Sequence, residues 1–580
     1  MTKPIPARED LRFESFSNNK VLSCKKNGKL PVMGWNSWNA FGSGNTEELT
    51  KQMAEKLVEL GLDKLGYKYV VLDDGCYVPH RVDGKLSNEP GKFPGGFKAL
   101  ADFLHSKGLK FGMYNDIGEK LCAGSEVGTY GYEKVYAKQY LDWGIDFIKV
   151  DNCYNIFDNA TFADPENARF TFGPNIKSVF IGDDKISAED LTITGECAKV
   201  KDSYVTFLGT LDGTGPEYSP VGMKSSEIVI EIESGEDKTV DLKIDYATGK
   251  EEGIGAWLQI DVNGRRFFDD LLPETASTTD FTVSSPFAVQ LKTGKNTIKL
   301  MNHRRQENTL SSYTAMMEAF EEIDKDNDVI LSVCEWGKTN PQNWAYKVGN
   351  SWRILNDITF AVGSAEGDYG TCAWESDYTT NITTQYNKAV IMDEFAGLDK
   401  GWNDPDMMVI GMNGLDQTMN ESHMAMWCML NSPLMLGLDL RRVTKGDEIY
   451  NIIANEEYIA LNQDALGIQA KRIFTTINTS DPSKDYIKDN KRIDVLVKPL
   501  SDGSIAVGFF NLDTEDRSDD ICITFDEIAG KMNIPSELLN SDEYQIKDLK
   551  TKEMWNTCEK RIRLSSIKGC ASYLVKITPV

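Results

Sequence analysis

The alternation of short apolar runs with helical patterns, which begins near residue 30, constrains the fold of this chain most. The runs in "YKYVVLDDG", "LKFGMYND" and "IDFIKVDN" have the composition of buried strands, and helical periodicity lies between them. The same alternation resumes through "DVILSVCEW", "SWRILND", "WNDPDMMVIG" and "PLMLGLDLRRV". Strands that alternate with helices predict a parallel sheet wrapped in helices. We therefore expect an α/β fold of the (β/α)8 TIM barrel type.

Two stretches break this pattern. Between 156 and 310 the chain turns into short alternating strands such as "SEIVIEIES", "AWLQIDVNG" and "KNTIKLMNH", which indicates an inserted β-sandwich. After "LNQDALGIQA" the alternation is that of antiparallel strands, which predicts a C-terminal antiparallel β-sandwich. The predicted organisation is a lead segment at 1–30, a catalytic barrel at 31–155 and 311–465, the insert at 156–310, and the second sandwich at 466–580. Loops at the catalytic face of a barrel tolerate such an insertion.

Three successive strands end in polar residues. These are Asp73 and Asp74, then Tyr114 and Asp116, then Lys149 and Asp151. In a (β/α)8 barrel the carboxyl ends of the strands form the active-site face. A single carboxylate at a strand end is as often a helix N-cap as a functional residue, but three successive strands that end in polar residues favour an active site.

Composition narrows the chemistry. The net charge of −26 disfavours a nucleic-acid partner, and no apolar run is long enough for a membrane span. Four histidines without metal-binding spacing, and no phosphate-binding glycine loop, leave carboxylates to carry any reaction. Carboxylates, two cations and aromatic rings suit a polyhydroxylated substrate such as a sugar, and hydrolysis of a glycoside needs two carboxyl groups. The candidate strand-end acids are Asp73, Asp74, Asp116, Asp151, Glu335, Asp357 and Asp406. The residues expected beside them are the cations Lys149 and Arg353 and the aromatic residues Trp38, Tyr114, Trp336 and Trp402.

A family resemblance runs through these same segments. "MGWNSWNAF", "VLDDG", "FGMYND", "CAG", "FIKVDNCY", "CEWG", "SWRILNDI" and "GWNDPDMMVIG" follow in the order seen in family 27 glycoside hydrolases, and resemble their α-galactosidases in particular. The resemblance covers about 31–155 and 311–465. It implies a retaining, exo-acting α-galactosidase that needs no metal or cofactor.

The resemblance also implies roles for individual residues. Asp151 matches the nucleophile and Asp357 the acid/base, so that configuration is retained by double displacement. Lys149 would keep Asp151 ionised and bind a sugar hydroxyl, although a structural salt bridge is the alternative. Cys122 and Cys153 match a disulfide beside the nucleophile, with a thiol pair as the alternative in a reducing compartment. The implied substrate-binding residues are Trp38, Asp73, Asp74, Tyr114, Lys149, Glu335, Trp336, Arg353, Asp406 and Met407.

Two features bear on the sugar. In this family Glu335 in "CEW" is associated with a C2 hydroxyl, and the intact Asp73–Asp74 pair suits a C6 hydroxymethyl group, so both favour galactose. An α-N-acetylgalactosaminidase or a β-L-arabinopyranosidase of the same family is the alternative activity. A catalytically inert carbohydrate-binding barrel is the alternative from another class. The expected partners are galactose-containing oligosaccharides, polysaccharides or glycoconjugates, with no nucleic acid and no membrane. A homo-oligomer is a further possibility.

The sequence departs from the family pattern in two places. "DDGC" replaces the "DDCW" of eukaryotic members, and Cys76 lacks its usual partner cysteine. The insert is the larger departure. Its "LQIDVNGRRFFDDL" and "VQLKTGKNTIKLMNH" resemble strands of carbohydrate-binding modules of families 6 and 35, and a structural lid or a dimer-forming domain is the alternative. An extracellular or secretory-pathway location is expected, with the cytoplasm as the alternative.

Overall fold

The structure is a computed structural model that describes residues 29–155, 173–209, 224–249, 255–359, 361–376, 380–532 and 539–580. The predicted lead segment therefore lies outside the described residues except for 29 and 30. None of the described helices is both long and apolar enough to cross a membrane.

Eight parallel strands form a barrel, as the sequence predicts. In chain order they are β1 (Met33–Asn36), β2 (Tyr69–Val71), β3 (Lys110–Asp116), β4 (Phe147–Asp151), β5 (Ile330–Cys334), β6 (Ser351–Arg353), β7 (Trp402–Asp404) and β8 (Leu434–Leu436). Each strand pairs with its sequence neighbour from β1 to β7, and β8 pairs with β1. The circle closes just beyond β7, where Met408 bridges in parallel to Leu436 and donates its backbone N–H to Met435.

Helices cover the outside of this barrel. They comprise Ser37–Phe41, Glu47–Glu59, Phe97–Ser106, Glu133–Trp143, Arg304–Ile323, Ile382–Ala389, Gln417–Met429, Glu448–Ile453 and Glu456–Asn462. Local sequence sets their ends: the Thr46 side chain accepts the N–H of Leu49 and caps Glu47–Glu59, and Gly144 ends Glu133–Trp143 at a φ of 81°. The helix predicted around "SSYTAMMEAFEEID" begins earlier, at Arg304.

The inserted region is a β-sandwich of two sheets. One sheet contains Arg265–Leu271, Trp257–Val262, Gly294–Met301, Glu227–Ser234 and Thr192–Thr194. The other contains Thr282–Val283, Phe287–Leu291, Lys238–Ala247, Asn175–Ile181, Asp184–Ser187, Tyr204–Thr206 and Lys199–Lys201. Alternate side chains of both sheets, such as Ile230, Ile244 and Ile298, meet in a core separate from that of the barrel.

The C-terminal region is also antiparallel. Its six-stranded sheet contains Lys471–Thr475, Ile493–Pro499, Ile505–Asn511, Ser572–Pro579, Tyr544–Asp548 and Met554–Thr557, and the pair Ile521–Thr524 and Arg561–Leu564 lies with it around one core. The helix Phe525–Met532 packs on that core. Leu496, Phe510 and Leu574 face the other way and join the barrel core, so the barrel and this region share apolar contacts. The segment boundaries given above stay predictions.

Candidate active site

The carboxyl ends of β2, β3, β4 and β5 bring the predicted polar residues to one face. In the sheet register Tyr114 lies beside Lys149, and Asp151 lies between Asp116 and Cys334. Because parallel strands end at the same edge, residues far apart in the chain become neighbours there. The strand-end acids therefore form one charged cluster.

Asp151 occupies the centre of this cluster and is 5% exposed. Its Oδ2 accepts a hydrogen bond of 2.8 Å from the hydroxyl of Tyr114. Burial raises the pKa of Asp151 to about 6, although the positive charge of Lys149 opposes that rise. Lys149 thus acts on the pKa of Asp151 in the expected direction, and burial acts more strongly in the opposite direction.

Lys149 is tied to the acid pair that ends β2. Its Nζ lies 2.9 Å from Oδ2 of Asp73, and the side-chain amide of Asn36 donates to the same oxygen at 2.8 Å. Lys149 therefore forms a salt bridge at the charged face, and its contact with a sugar hydroxyl stays a prediction. Asp74 accepts the backbone N–H of Ala123 at 2.8 Å, and burial raises its pKa to about 6.

Asp357, the candidate acid/base, is the most solvent-accessible acid of the cluster, with 51% of its side chain exposed. Arg353 at the end of β6 lies 2.9 Å from Oδ1 of Asp357 and 3.0 Å from Oδ1 of Asp406. Desolvation acts to raise the pKa of Asp357, but Arg353 and then Lys149 outweigh it and keep that pKa below its ordinary value. Asp357 can act as a proton donor only when its contact with Arg353 is weakened, because this contact favours the ionised form of the carboxyl group.

Glu335 and Trp336 follow β5. Glu335 is fully buried, and its Oε2 accepts both the backbone N–H and the hydroxyl of Thr339 at 2.8 Å. Trp336 has a left-handed φ of 57°, which turns the chain directly after Glu335. The ammonium of Lys338 lies 4.2 Å from the Trp336 ring centroid. This turn fixes the aromatic side chain at the rim of the barrel.

The floor of the site is apolar. Met407 lies with Tyr69, Phe147 and Met435 in a small interior cluster, and the half-buried Trp38 packs against it. Side chains fill the interior of such a barrel, so it is a packed core and not a pore. A ligand is therefore confined to the charged end.

Cys122 and Cys153 form a disulfide with a Cα–Cα distance of 5.3 Å, as the resemblance implies. Oδ1 of the buried Asp116 accepts the N–H of Gly118, and Oδ2 accepts that of Cys153, both at 2.6 Å. Cys76 is buried and forms no disulfide within the described residues.

Sequence reasoning passed over two residues of this site. Asn36 donates a hydrogen bond to Asp73, and Asp404 at the end of β7 is half-buried near Arg353, where desolvation raises its pKa to about 6. The signal for both was present, because each is a polar residue at the end of a barrel strand. Each lies within two residues of a tryptophan, which is the more prominent candidate for contact with a sugar.

Two carboxylates in one charged cluster at the carboxyl end of a (β/α)8 barrel define the class of glycoside hydrolases. A family model described as "Alpha galactosidase A" matches residues 30–166 and 296–464, and a second, "Alpha galactosidase C-terminal beta sandwich domain", matches 490–568. The chain belongs to the Alpha galactosidase A family, glycoside hydrolase family 27. The matched ranges resume at 296, so most of the insert has no counterpart in the family model.

Several curated relatives span most of the chain. An α-galactosidase of Cyamopsis tetragonoloba is 26% identical over 506 residues, which are 87% of this chain and 78% of the relative. Alpha-galactosidase A of Cellvibrio japonicus is 26% identical over 497 residues, 85% of this chain and 77% of its own length.

Solved structures share the fold. The α-galactosidase of Saccharomyces cerevisiae superposes with a TM-score of 0.59 at 21% identity, covering 96% of this chain and all of its own. A β-L-arabinopyranosidase of Geobacillus stearothermophilus superposes with a TM-score of 0.54 at 16% identity, covering 95% of this chain and 97% of its own. Enzymes named for different sugars thus share this backbone, so the sugar has to be argued from side chains.

Proposed function

We propose that the chain is a retaining, exo-acting α-galactosidase that removes terminal α-D-galactosyl residues. The main support for the proposal is that one cluster contains two carboxyl groups that differ in solvent exposure and in their hydrogen-bonding partners. Asp151 is buried and bound by Tyr114, whereas Asp357 is half exposed and held by Arg353. A retaining glycosidase needs a carboxylate beneath the sugar and a second carboxyl that reaches the departing oxygen.

In the first step Asp151 attacks the anomeric carbon and forms a covalent galactosyl–enzyme ester. The hydroxyl of Tyr114 holds one carboxylate oxygen at 2.8 Å and so fixes the direction of attack. Asp357 donates its proton to the leaving oxygen. Its exposure suits contact with an aglycone that extends into solvent.

In the second step Asp357, now ionised, takes a proton from water, and the water attacks the same carbon. Two inversions at one centre return the original configuration. Arg353, at 2.9 Å, stabilises the ionised form of Asp357 that this step requires as its base. The same arginine is therefore helpful in the second step and a hindrance in the first.

Side chains of the cluster support galactose as the sugar. By the family resemblance, Asp73 and Asp74 hold O4 and O6, and Lys149 completes their hydrogen bonding from 2.9 Å. Glu335 and Arg353 lie on the side assigned to the C2 hydroxyl, where a larger acetamido group needs more room. The names of the curated relatives support the same sugar.

The substrate beyond the terminal sugar is proposed more broadly as a galactosyl oligosaccharide, polysaccharide or glycoconjugate. The Cys122–Cys153 disulfide supports a proposed extracellular or secretory-pathway location, since disulfides persist in oxidising compartments.

Matched aryl glycosides test the proposal. Initial rates are measured on α-galactose, α-N-acetylgalactosamine and β-L-arabinopyranose glycosides of one phenol, with the wild type and with Asp151→Asn. We expect a strong preference for α-galactose and a loss of at least about 10³-fold in kcat for the variant. Product configuration is followed by NMR, and the first product must be α-galactose.

Each other outcome has a definite meaning. Preference for either of the other two sugars keeps the mechanism and overturns the assignment of galactose. No turnover on any glycoside, together with unimpaired galactose binding in the wild type, overturns the assignment as an enzyme.

A further inference from the structure

A buried glutamine links the inserted sandwich to the loop that follows Glu335. Gln306 lies in the first turn of the helix Arg304–Ile323 and is fully buried. Its Nε2 donates to the backbone carbonyl of Thr339 at 2.6 Å, and its Oε1 accepts the hydroxyl of Ser225 at 2.9 Å. Because a carbonyl oxygen can only accept, the amide group has to face this way round. One side chain therefore joins the barrel to the insert.

We propose that Gln306 is a positioning residue for the sugar site and that, through it, the insert helps to select the hydroxyl at C2 of the substrate. Gln306 acts through Thr339, which in turn holds Glu335. The inference rests on the proposed α-galactosidase activity, because Glu335 is assigned to C2 by the family resemblance.

Thr339 orients the carboxylate of Glu335 through two donors. Its backbone N–H and its hydroxyl both donate to Oε2 of Glu335 at 2.8 Å, and Thr339 is itself fully buried. The indole N–H of Trp344 donates to the Thr339 hydroxyl at 3.2 Å, which leaves the proton of that hydroxyl for the carboxylate. A shift of the Thr339 backbone therefore moves the carboxylate of Glu335, and small displacements at a sugar site cost rate.

The turn between Glu335 and Thr339 has a backbone that needs support. Trp336 within it and Asn340 just after it have left-handed φ angles of 57° and 52°. Such angles are uncommon for residues with a side chain, above all a bulky one, and they persist where surrounding groups hold the chain. The hydrogen bond from Gln306 to the Thr339 carbonyl supplies part of that hold.

The insert end of the link belongs to a paired sheet. Ser225 lies two residues before the strand Glu227–Ser234, which pairs with the strand Gly294–Met301 that leads into the barrel helix. The hydroxyl of Ser226 accepts the backbone N–H groups of residues 197 and 198 at 2.8 Å and 2.9 Å. Ser225 is thus fixed by the insert's own hydrogen bonds, and it can transmit the position of the insert to the barrel.

A 2-deoxy substrate isolates the contact assigned to Glu335. The rate constant kcat/KM of the full chain is measured on an aryl α-galactoside and on its 2-deoxy analogue. Gln306→Met keeps a long unbranched side chain and removes both hydrogen bonds of the amide. We expect it to lower kcat/KM about 10- to 100-fold on the galactoside and less than about 3-fold on the analogue, which has no hydroxyl for Glu335. General destabilisation lowers both rates alike.

Variants of Ser225 test the part of the insert. Ser225→Ala should change the ratio of the two rates by about 5-fold, the effect of one hydrogen bond, whereas Ser225→Thr keeps the hydroxyl and should keep the wild-type ratio. The matched control is Lys224→Met in the same segment, which removes an exposed ion pair of 3.1 Å with Glu394 and should leave the ratio unchanged. Glu335→Gln should shift the ratio in the same direction as Gln306→Met.

Hydrogen–deuterium exchange gives a readout that needs no substrate. The backbone N–H of Thr339, which donates to Glu335, should exchange faster in Gln306→Met than in the wild type. The N–H groups of the strand Ile505–Asn511 serve as the internal reference.

The outcomes separate this inference from the proposed function. Equal exchange at Thr339, or an equal fall of kcat/KM on both substrates, overturns the positioning role of Gln306. A ratio that changes in Gln306→Met but not in Ser225→Ala overturns the part assigned to the insert. A wild type that cleaves no α-galactoside overturns the proposed function instead, and the exchange rates still decide whether Gln306 holds Thr339.

Discussion

Arg353 joins the candidate acid/base to a second acid, because its guanidinium lies 2.9 Å from Oδ1 of Asp357 and 3.0 Å from Oδ1 of Asp406. This arginine keeps the pKa of Asp357 low, while burial raises the pKa of Asp151 to about 6. When the cluster holds a single proton, the nucleophile therefore binds it more tightly than the acid does. The first chemical step needs the opposite distribution.

The pH dependence of kcat/KM and of kcat is expected to show this order of the two pKa values. The rate kcat/KM reports the free enzyme, and it should fall as pH rises through about 6, because the pair then loses the one proton that the active form needs. The rate kcat reports the complex, in which a sugar hydroxyl competes for Arg353 and the pKa of Asp357 rises. The basic limb of kcat should therefore lie at higher pH than that of kcat/KM, and these limbs belong to the coupled pair. The prediction is wrong if the basic limbs of kcat and of kcat/KM coincide both for a galactoside and for its 2-deoxy analogue.

Replacement of the acid/base identifies it directly. Asp357→Ala is expected to lose about 10²- to 10⁴-fold in kcat with poor leaving groups and much less with activated aryl leaving groups, which depart without a proton. Azide then attacks the accumulated galactosyl–enzyme without base assistance. The measured product should be α-galactosyl azide, with the rate restored.

The matched control for this rescue is Asp151→Asn, which forms no ester and should give no azide product. A β-configured azide from Asp357→Ala, in which Asp151 is intact, would show direct displacement from the substrate and would remove Asp151 from the role of nucleophile.

Lys149 is expected to influence the basic limb of the kcat/KM profile. Its charge lowers the pKa of Asp151 against the effect of burial, so Lys149→Met should raise that pKa above about 6 and move the basic limb of kcat/KM to higher pH. Loss of the 2.9 Å contact to Asp73 should also raise KM for galactosides. Kinetics across pH measures both effects. The control Lys98→Met removes an exposed ion pair with Asp102 and should leave the profile unchanged.

The barrel and its active face are predictable from the sequence because strand periodicity and polar strand ends are local signals. "FIKVD" and "KFGMYND" reveal their buried strands and their terminal acids within a few residues. The positions of the two sandwich regions follow in the same way, because a change of period is visible along the chain.

The balance of charge in the site is not predictable in this way. The pKa of Asp151 depends on the charge of Lys149 and on how tightly residues distant in sequence exclude water from the carboxyl group. Burial is the stronger of the two effects in the structure. The contact of Arg353 with both Asp357 and Asp406 depends on the relative placement of β6 and the chain after β7. Asn36 is visible in the sequence as a polar strand end, but its hydrogen bond to Asp73 depends on the pairing of β1 with β2 and is recognisable only in the structure.

A half-buried arginine is one of several polar links between the insert and the barrel. Arg266 of the inserted sheet lies 2.7 Å from Oε1 of Glu307 in the barrel helix Arg304–Ile323, and it also contacts Asp261 and Asp269 of the insert at 2.5 Å and 3.1 Å. Arg266→Met removes a cation from Asp261 and Glu307, whereas Asp269 keeps Arg304 at 3.0 Å. Removing one partner of a buried ion pair costs about 3–5 kcal/mol, so the variant should unfold at clearly lower temperature.

Calorimetry of the full chain measures this loss. Lys295→Met removes an exposed pair with Glu231 in the same inserted sheet, and it should change stability by less than about 1 kcal/mol. Because Arg266 holds the insert at the end of the barrel helix rather than at the catalytic cluster, kcat on an aryl galactoside at a temperature where both proteins are folded should stay near that of the wild type. An unchanged unfolding temperature in Arg266→Met would mean that the apolar contacts of the insert, and not this ion network, hold it to the barrel.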